Sequence, residues 1–299
     1  MLTAPALPVL AALALLVNAF IWGVSWWPFR YLQSLGVHPL WATALTYAVV
    51  VALIVGRRPQ ALRQLLAAPT LWVLALAAGC TNAAFNWAVS IGDVVRVVLL
   101  FYLMPLWSVL LARLLLGERL TAWAALRIGL ALAGAAIVLK PPGAGWPLPS
   151  SLVDWLGLAG GVSFALNNVM LRRESHHPAE ARALAMFFGG MAVAGGLALL
   201  LGAVGQVDGP PAPRADWVLA ALLLTGAMLA ANLALQHGAG YLSASTTSVI
   251  MLTEVVFATA SSVWWGDQRL TAQVGLGGGM IVAAAVLAGI DPGSRRRGS

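Results

Sequence analysis

The chain has 299 residues, of which 61% are hydrophobic and 9% are charged, with a formal net charge of +7 and a mean hydropathy of +0.88. A typical soluble domain carries about 25% charged residues, so this composition excludes a water-soluble globular protein of ordinary surface. The apolar runs are about 20 residues long and lack two-residue alternation, which favours membrane-spanning helices over a β-barrel. The basic residues lie in short clusters between these runs, a pattern typical of membrane topology rather than of nucleic-acid binding.

Ten membrane spans are predicted in chain order, separated by short segments rich in glycine, proline and charge. They lie at residues 8–29, 37–56, 69–91, 94–116, 121–140, 151–172, 180–203, 214–238, 243–266 and 270–290. Turn-forming sequences at residues 56–59 and 208–211 support these boundaries, whereas only Gly92 and Asp93 separate the third span from the fourth. Gly275 and Gly279 lie four residues apart, which predicts close helix packing at that pair.

The distribution of basic residues predicts the orientation in the membrane. With a cytoplasmic N-terminus, twelve Lys and Arg residues lie on the inner side and five on the outer side, out of 17 in the chain. Cytoplasmic loops carry the excess of positive charge, so both termini are expected in the cytoplasm, as an even number of spans requires. The N-terminus lacks a charged segment and a cleavage site, which predicts a first span rather than a removed signal peptide.

The sequence also repeats itself. Residues 117–121 read Gly-Glu-Arg-Leu-Thr, and residues 266–271 read Gly-Asp-Gln-Arg-Leu-Thr, each before an apolar span. The predicted halves are residues 1–143 and residues 144–299, the second with a short basic C-terminal tail. Five helices is an odd number, so the second half is inverted relative to the first, an arrangement that transporters use. The fold class is therefore an all-α membrane protein of two inverted five-helix repeats, with a duplicated scaffold as the alternative to transport.

Particular motifs carry a family resemblance over essentially the whole chain. Residues 92–107 with residues 117–121, the sequence Trp-Gly-Val-Ser at residues 22–25, and Thr-Glu-Val at residues 253–255 resemble the EamA branch of the drug/metabolite transporter superfamily. Within that branch they are most similar to YddG-type exporters of aromatic amino acids. The resemblance implies a ten-helix inverted repeat, cytoplasmic termini and outward movement of small organic solutes. Val255 departs from the family pattern, which usually has proline at that position.

Two residues inside spans are candidates for a gating or structural role. Glu254 is the one carboxylate well inside a predicted span, and polar groups there are costly and often functional. It is open whether Glu254 pairs with a substrate ammonium, takes part in proton coupling, or bonds to a neighbouring helix. Pro105 interrupts the fourth span and removes a backbone hydrogen bond one turn earlier, which predicts a kink that bends during gating.

Aromatic and amide side chains supply the candidate substrate-binding residues. Thirteen tryptophans are present, and those deep in spans or beside helix breaks predict a cavity for flat aromatic or cationic solutes. The aromatic candidates are Trp22, Trp26, Trp87, Tyr102 and Trp107. The amide candidates are Asn18, Asn82, Asn86, Asn167, Asn168 and Asn232. Amides offer both donors and acceptors, which suits a zwitterion better than a phosphate, although packing and interhelical bonding explain any single residue equally well.

No sequence pattern indicates an enzyme. The four histidines, His38, His176, His177 and His237, are at loops or span ends, and no metal, cofactor, nucleotide or nucleic-acid motif accompanies them. The sequence thus predicts a bacterial inner-membrane exporter of small zwitterionic metabolites, aromatic amino acids above all, working by alternating access in the lipid bilayer. The alternatives are a permease for a nucleobase, nucleoside or cationic compound, and a non-transporting scaffold. Energy coupling and oligomeric state stay open.

Overall fold

The computed structural model describes residues 6–104, 106–107, 110–111, 114, 122–140, 146, 148–241, 250–266 and 269–289, and all regular secondary structure in them is helical. The helices of these residues, numbered in chain order, are α1 (Ala6–Val24), α2 (Trp26–Ser34), α3 (Pro39–Arg57), α4 (Pro59–Ala67), α5 (Pro69–Ile91), α6 (Val94–Phe101), α7 (Ala122–Leu139), α8 (Leu152–Arg173), α9 (Ala179–Ala203), α10 (Ala215–Tyr241), α11 (Thr253–Trp265) and α12 (Ala272–Gly289). The predicted all-helical class is confirmed for this part of the chain.

Five segments of the described residues are long and apolar enough to cross a membrane. They are Val9–Ser34, Pro39–Arg57, Pro69–Ile91, Ala179–Ala203 and Ala215–Leu235. The first of them extends beyond the predicted span of 8–29 and is interrupted at Ser25, whose amide bonds to the carbonyl of Trp22 at 3.2 Å and whose hydroxyl bonds to the same carbonyl at 2.8 Å. Two bonds on one carbonyl end α1 there, and α2 begins at the next residue.

Prolines mark the start of three consecutive helices. Pro39, Pro59 and Pro69 are the first residues of α3, α4 and α5. Proline suits this position because the first amide of a helix has no intrahelical acceptor. The helix α4 was not among the predicted elements. It is held in place by Ala61 and Leu65, four residues apart and both buried, and the apolar stripe is too short to predict a helix reliably from sequence.

The contacts divide the chain into two compact units. The first unit comprises residues 1–25, 93–151 and 227–299, and the second unit comprises residues 26–92 and 152–226. Each unit therefore combines segments from both halves of the sequence repeat. The division falls between α1 and α2, between α5 and α6, and within α10.

The second unit is built around α5, which packs against α3, α8 and α9. A methyl group placed on Gly79 would lie 2.4 Å from the carbonyl oxygen of Gly189, and one placed on Gly189 would lie 1.8 Å from the carbonyl oxygen of Ala75. The backbones of α5 and α9 thus approach too closely for any side chain at either glycine. Buried Leu71 and Leu74 extend this contact along α5.

In the first unit, α1 packs against α11, and α7 packs against α12. Methyl groups added at Gly134 of α7 or Gly277 of α12 would each lie 2.6 Å from the other residue's carbonyl oxygen. Gly275 and Gly279, by contrast, have no atom of the described residues within 4 Å of an added methyl group. The predicted packing pair was therefore wrong, because the rotation of α12 brings a different glycine against its neighbour.

Candidate functional site

In the first unit, Tyr102 lies where α6 ends and connects this helix end to the start of α11. The side chain is 2% exposed. Its hydroxyl oxygen lies 3.0 Å from Oε2 of Glu254 and 3.0 Å from the backbone carbonyl oxygen of Met251. Sequence analysis had singled out Tyr102 and Glu254 separately, and the fold brings them together. Pro105, the predicted kink residue, lies outside the described residues.

Tyr102, Glu254 and Met251 form a cluster whose hydrogen bonds depend on how many hydrogens the Tyr102 hydroxyl and the Glu254 carboxyl have. The Tyr102 hydroxyl has one hydrogen and donates it to either Glu254 or Met251. When the Glu254 carboxyl is neutral, its own hydrogen is available to the tyrosine oxygen, and Tyr102 then donates to Met251. Both close contacts are hydrogen bonds only in that protonation state. The cluster therefore gains one hydrogen bond when the Glu254 carboxyl takes up a proton, and it loses that bond when the proton leaves.

The backbone around Glu254 is fixed by a close contact with α1. A methyl group placed on Gly23 would lie 2.7 Å from Cβ of Phe257 and 2.9 Å from the carbonyl oxygen of Glu254. Phe257 also makes an edge-to-face contact with Phe20, with ring centroids 5.3 Å apart. Glu254 itself is 6% exposed. Its carboxyl group is thus held at one position in the first unit by packing on both sides.

The remaining candidates of the first unit are spread over several helices. Asn18 is fully buried, and its amide nitrogen donates to the carbonyl of Ala231 at 2.7 Å, which ties α1 to α10. Its Oδ1 has no hydrogen-bond partner among the described residues. The indole nitrogen of Trp107 is likewise buried without a partner in that part of the chain. Trp22 and Asn232 are half-buried.

In the second unit, the asparagines of α5 face α3. Asn82 accepts a hydrogen bond of 2.6 Å from the Tyr47 hydroxyl, and its own nitrogen donates to the carbonyl of Ala78 at 2.8 Å. Asn86 donates to the Thr43 hydroxyl at 3.1 Å, while its Oδ1 is buried without a partner in the described residues. The predicted shared face of Asn82 and Asn86 is thus a polar seam between two otherwise apolar helices.

Tyr47 and Thr43 are the residues that sequence reasoning missed. They lie four apart on α3, with Tyr47 2% exposed and Thr43 fully buried. Their spacing places them on one helical face, and this periodicity was the available signal. A methyl group on Gly190 would lie 2.1 Å from the Tyr47 ring, and Phe187 contacts that ring edge-on at 5.1 Å. The tyrosine is therefore positioned by α9 as well as by Asn82.

Two tryptophan candidates of the second unit contact basic side chains. The Arg30 guanidinium lies 5.0 Å from the ring centroid of Trp26, and it also donates to the carbonyls of Val89 and Gly92 at the end of α5. Trp87 contacts His38 edge-on, with centroids 5.4 Å apart. Partial burial lowers the pKa of the His38 imidazole, which favours the neutral ring in this contact.

The last two candidates, Asn167 and Asn168, are on α8. Asn167 is 2% exposed, and its Oδ1 has no hydrogen-bond partner in the described parts of the chain. Asn168 is half-buried. Asn18, Asn86 and Asn167 thus share one feature, a buried amide oxygen without a hydrogen-bond partner among the described residues. An unpaired buried polar atom costs about 1–3 kcal/mol, which is why such atoms are candidates for binding a ligand.

The chain is similar to known proteins over nearly its whole length. The profile of the EamA-like transporter family matches residues 9–140 and 151–290. The two matches confirm the predicted sequence repeat. One solved crystal structure is similar over 97% of this chain and 98% of its own, with a TM-score of 0.61 and 18% identity, a likeness in fold alone. A search of curated proteins found no match.

The family match decides the general class of the molecule. It covers two long segments that together leave only the termini and residues 141–150 unmatched. EamA-like proteins are transporters and not enzymes, so a small-molecule substrate and a lipid environment follow from membership. The apolar segments of the fold agree with that assignment. The chain therefore belongs to the EamA-like transporter family, as a multi-pass membrane protein.

Proposed function

We propose that this transporter exports small zwitterionic metabolites, aromatic amino acids above all. The observation that carries the proposal is the set of buried amide oxygens without a partner among the described residues, on Asn18, Asn86 and Asn167. A substrate ammonium group has three N–H donors and needs acceptors of this kind. Neutral amide acceptors suit a substrate without net charge, because they do not add a fixed charge to a low-dielectric environment.

The donors for a substrate carboxylate are also available. The indole N–H of Trp107 is buried and unpaired in the described residues. An asparagine amide has two N–H groups. In Asn18 one of them donates to Ala231, and in Asn86 one donates to Thr43. The aromatic ring of the substrate would stack against indole or phenol side chains, for which Trp22, Trp26 and Trp87 are the candidates. Stacked and edge-on aromatic pairs contribute about 0.5–1.5 kcal/mol beyond apolar burial.

Asn82, Asn168, Asn232 and Tyr102 complete the proposed substrate-binding set. The first three are half-buried, so each combines partial accessibility with an amide group. Tyr102 bonds to Glu254 within the first unit, and we propose Glu254 as a gating residue together with Pro105. The hydrogen bond between Tyr102 at the end of α6 and Glu254 at the start of α11 contains one exchangeable proton. Formation and loss of this hydrogen bond would accompany movement of the two helices.

The proposed transport mechanism is alternating access by a ten-helix inverted repeat, with halves at residues 1–143 and 144–299. Inverted halves of transporters move against each other around a site between them. We propose a bacterial inner membrane as its location, with both termini in the cytoplasm, and the twelve basic residues against five support that orientation. That orientation makes the segment of residues 173–179 cytoplasmic.

Flux measurement on the purified protein tests this proposal. The protein is reconstituted in liposomes loaded with radiolabelled L-tryptophan, L-phenylalanine or L-tyrosine, and efflux is compared with that from protein-free liposomes. We expect saturable efflux of at least one of the three. Flux of a nucleobase, nucleoside or cationic compound with none of the aromatic amino acids would overturn the substrate assignment. Failure of every solute to move would favour the scaffold.

A further inference from the structure

Outside the proposed transport residues, the turn between α8 and α9 contains a cluster of metal-binding side chains. Glu174, His176 and His177 each offer one ligand atom, and these atoms lie within 4.8 Å of one another. Glu174 is 1% exposed, whereas His176 is exposed and His177 half-buried. In the sequence, these histidines were placed at a loop or span end with no metal motif beside them. The fold adds a buried carboxylate to them.

The hydrogen bonds of His176 leave one ring nitrogen available to a metal. Its Nδ1 lies 3.3 Å from the backbone carbonyl oxygen of Arg173. A carbonyl oxygen only accepts hydrogen bonds, so Nδ1 has the hydrogen and Nε2 has the free lone pair. Metal-binding histidines in proteins are oriented by this kind of bond from the second ring nitrogen. The His176 and His177 rings lie side by side, with centroids 4.2 Å apart.

Among the described residues, the Glu174 carboxylate has one close neutral donor and two more distant basic neighbours. The Thr70 hydroxyl donates to Oε2 at 2.7 Å. The two basic neighbours are farther away, with Nε2 of His177 3.4 Å from Oε2 and Nε of Arg173 3.8 Å from Oε1. Both distances exceed those of ordinary charge-assisted hydrogen bonds, about 2.7–2.9 Å. A buried carboxylate whose closest donor in the described part of the chain is a neutral hydroxyl favours the approach of a cation.

We propose that Glu174, His176 and His177 form a binding site for Zn²⁺ in the α8–α9 turn. Two imidazoles and one carboxylate, with water in the fourth position, are a common zinc ligand set. Imidazole ligands select zinc and similar transition metals over Mg²⁺ and Ca²⁺, which prefer oxygen. Arg173 is the competing cation, and since 61% of its side chain is exposed, it can turn into water when the metal binds.

Metal binding at this turn would act on the second unit through Thr70. This residue is the second of α5, and its hydroxyl connects the start of α5 to the carboxylate at the end of α8. A zinc ion bound by Glu174 would fix the carboxylate and, through it, the contact between these two helix ends. The expected consequence is a more stable second unit when zinc is present, since a ligand that binds only the folded state stabilises it.

Zinc binding to the purified full-length protein tests the proposal without any transport measurement. The protein carries an affinity tag that lacks histidine, and ZnCl₂ is titrated in competition with a chromogenic chelator while thermal unfolding is followed in parallel. The site variants are Glu174→Gln, His176→Ala and His177→Ala. The matched controls are Ser175→Ala in the same turn and Glu180→Gln, a nearby carboxylate whose side chain is 50% exposed.

We expect one Zn²⁺ per chain, a higher unfolding temperature with zinc, and no effect of Mg²⁺. Each site variant should weaken zinc binding at least tenfold, while both controls bind as the unaltered protein does. His176→Ala is the decisive variant because its exposed side chain can be removed without loss of folding, which the unfolding temperature without zinc verifies. Absence of zinc binding, or binding that is unchanged in His176→Ala and His177→Ala, would overturn the proposal. Either result leaves the proposed transport function untouched.

Discussion

At the scale of single residues, the amide of Asn86 combines a structural bond with an available acceptor. Its nitrogen is engaged with Thr43, and its buried oxygen has no partner in the described residues. The proposed substrate contact and the helix–helix contact therefore use different atoms of one side chain. This separation allows the two roles to be tested independently.

Replacement of Asn86 by alanine is expected to raise the KM for L-tryptophan efflux about tenfold, because a hydrogen bond to a charged group contributes about 1.5–3 kcal/mol. The matched control is Thr43→Val, which removes the partner of the amide nitrogen but leaves the amide oxygen in place. We expect its KM to stay within about threefold of the unaltered protein, on the order of 0.6 kcal/mol. Equal increases in both variants would indicate that Asn86 is structural only.

The Tyr102 cluster gives a second prediction, concerning stability. Tyr102→Phe removes the hydroxyl and leaves the buried oxygens of Glu254 and Met251 without it, so the free energy of unfolding should fall by about 1–3 kcal/mol. Thermal unfolding in detergent measures the change. Tyr31→Phe serves as the control, since that side chain is 42% exposed and its loss of a hydroxyl should have little effect. Equal unfolding temperatures for the two variants would contradict the bond to Glu254.

The sequence was sufficient to single out Tyr102 and Glu254 but not to pair them. The residues are 152 positions apart, and their contact depends on which faces of α6 and α11 turn toward each other. The same holds for Asn82 and Tyr47, which lie 35 positions apart. Costly polar groups in an apolar span are visible locally, whereas their partners depend on helix rotation, which no local pattern specifies.

At the scale of elements, α9 offers a direct test of backbone packing. Gly189→Ala would place a methyl group 1.8 Å from the carbonyl oxygen of Ala75, whereas one at Gly196 meets no atom of the described residues within 4 Å. The first change should displace α9 from α5 and destabilise the protein by about 1–3 kcal/mol. The second should be neutral or stabilising by about 0.5–1 kcal/mol, because alanine favours helices over glycine.

Detergent-solubilised yield and the unfolding temperature of the two variants distinguish these outcomes. Both substitutions add the same methyl group to the same helix, so a difference between them measures the contact with α5 alone. Similar values for Gly189→Ala and Gly196→Ala would contradict the close approach of the two helices.

The helices themselves were largely predictable, and their breaks less so. Apolar length indicated α3, α5 and α9 within a few residues, because spanning length is a property of consecutive side chains. The interruption at Ser25 was missed because it depends on two hydrogen bonds to the Trp22 carbonyl. The short helix α4 was missed because it depends on the packing of Ala61 and Leu65. The packed glycine of α12 was also mispredicted, because several glycines share that helix.

At the scale of the whole molecule, the sequence repeat and the packing units are different divisions of the chain. The family profile matches once in each half, at residues 9–140 and 151–290. Each compact unit nevertheless contains residues from both halves. The repeat was detectable because it leaves similar residues at a fixed separation in the sequence. The units were not detectable, because they depend on contacts between distant helices.

Labelling of single cysteines tests the proposed orientation. In a Cys80→Ala background, Ser34→Cys at the end of the first apolar segment and Ser175→Cys in the α8–α9 turn each add one thiol at an exposed position. With cytoplasmic termini, a membrane-impermeant maleimide should label Ser34→Cys in intact spheroplasts and label Ser175→Cys only after permeabilisation. The reverse pattern would place both termini outside and contradict the proposed orientation.

The central claim is that the substrate is a zwitterion recognised at both of its charged groups. Efflux of three radiolabelled indoles from proteoliposomes tests this most directly: L-tryptophan, tryptamine without the carboxylate, and indole-3-propionate without the ammonium, each corrected for leakage from protein-free liposomes. A hydrogen bond to a charged group contributes about 1.5–3 kcal/mol, so each analogue should show kcat/KM at least about tenfold below that of L-tryptophan. Equal or faster protein-dependent efflux of tryptamine or of indole-3-propionate would contradict the claim.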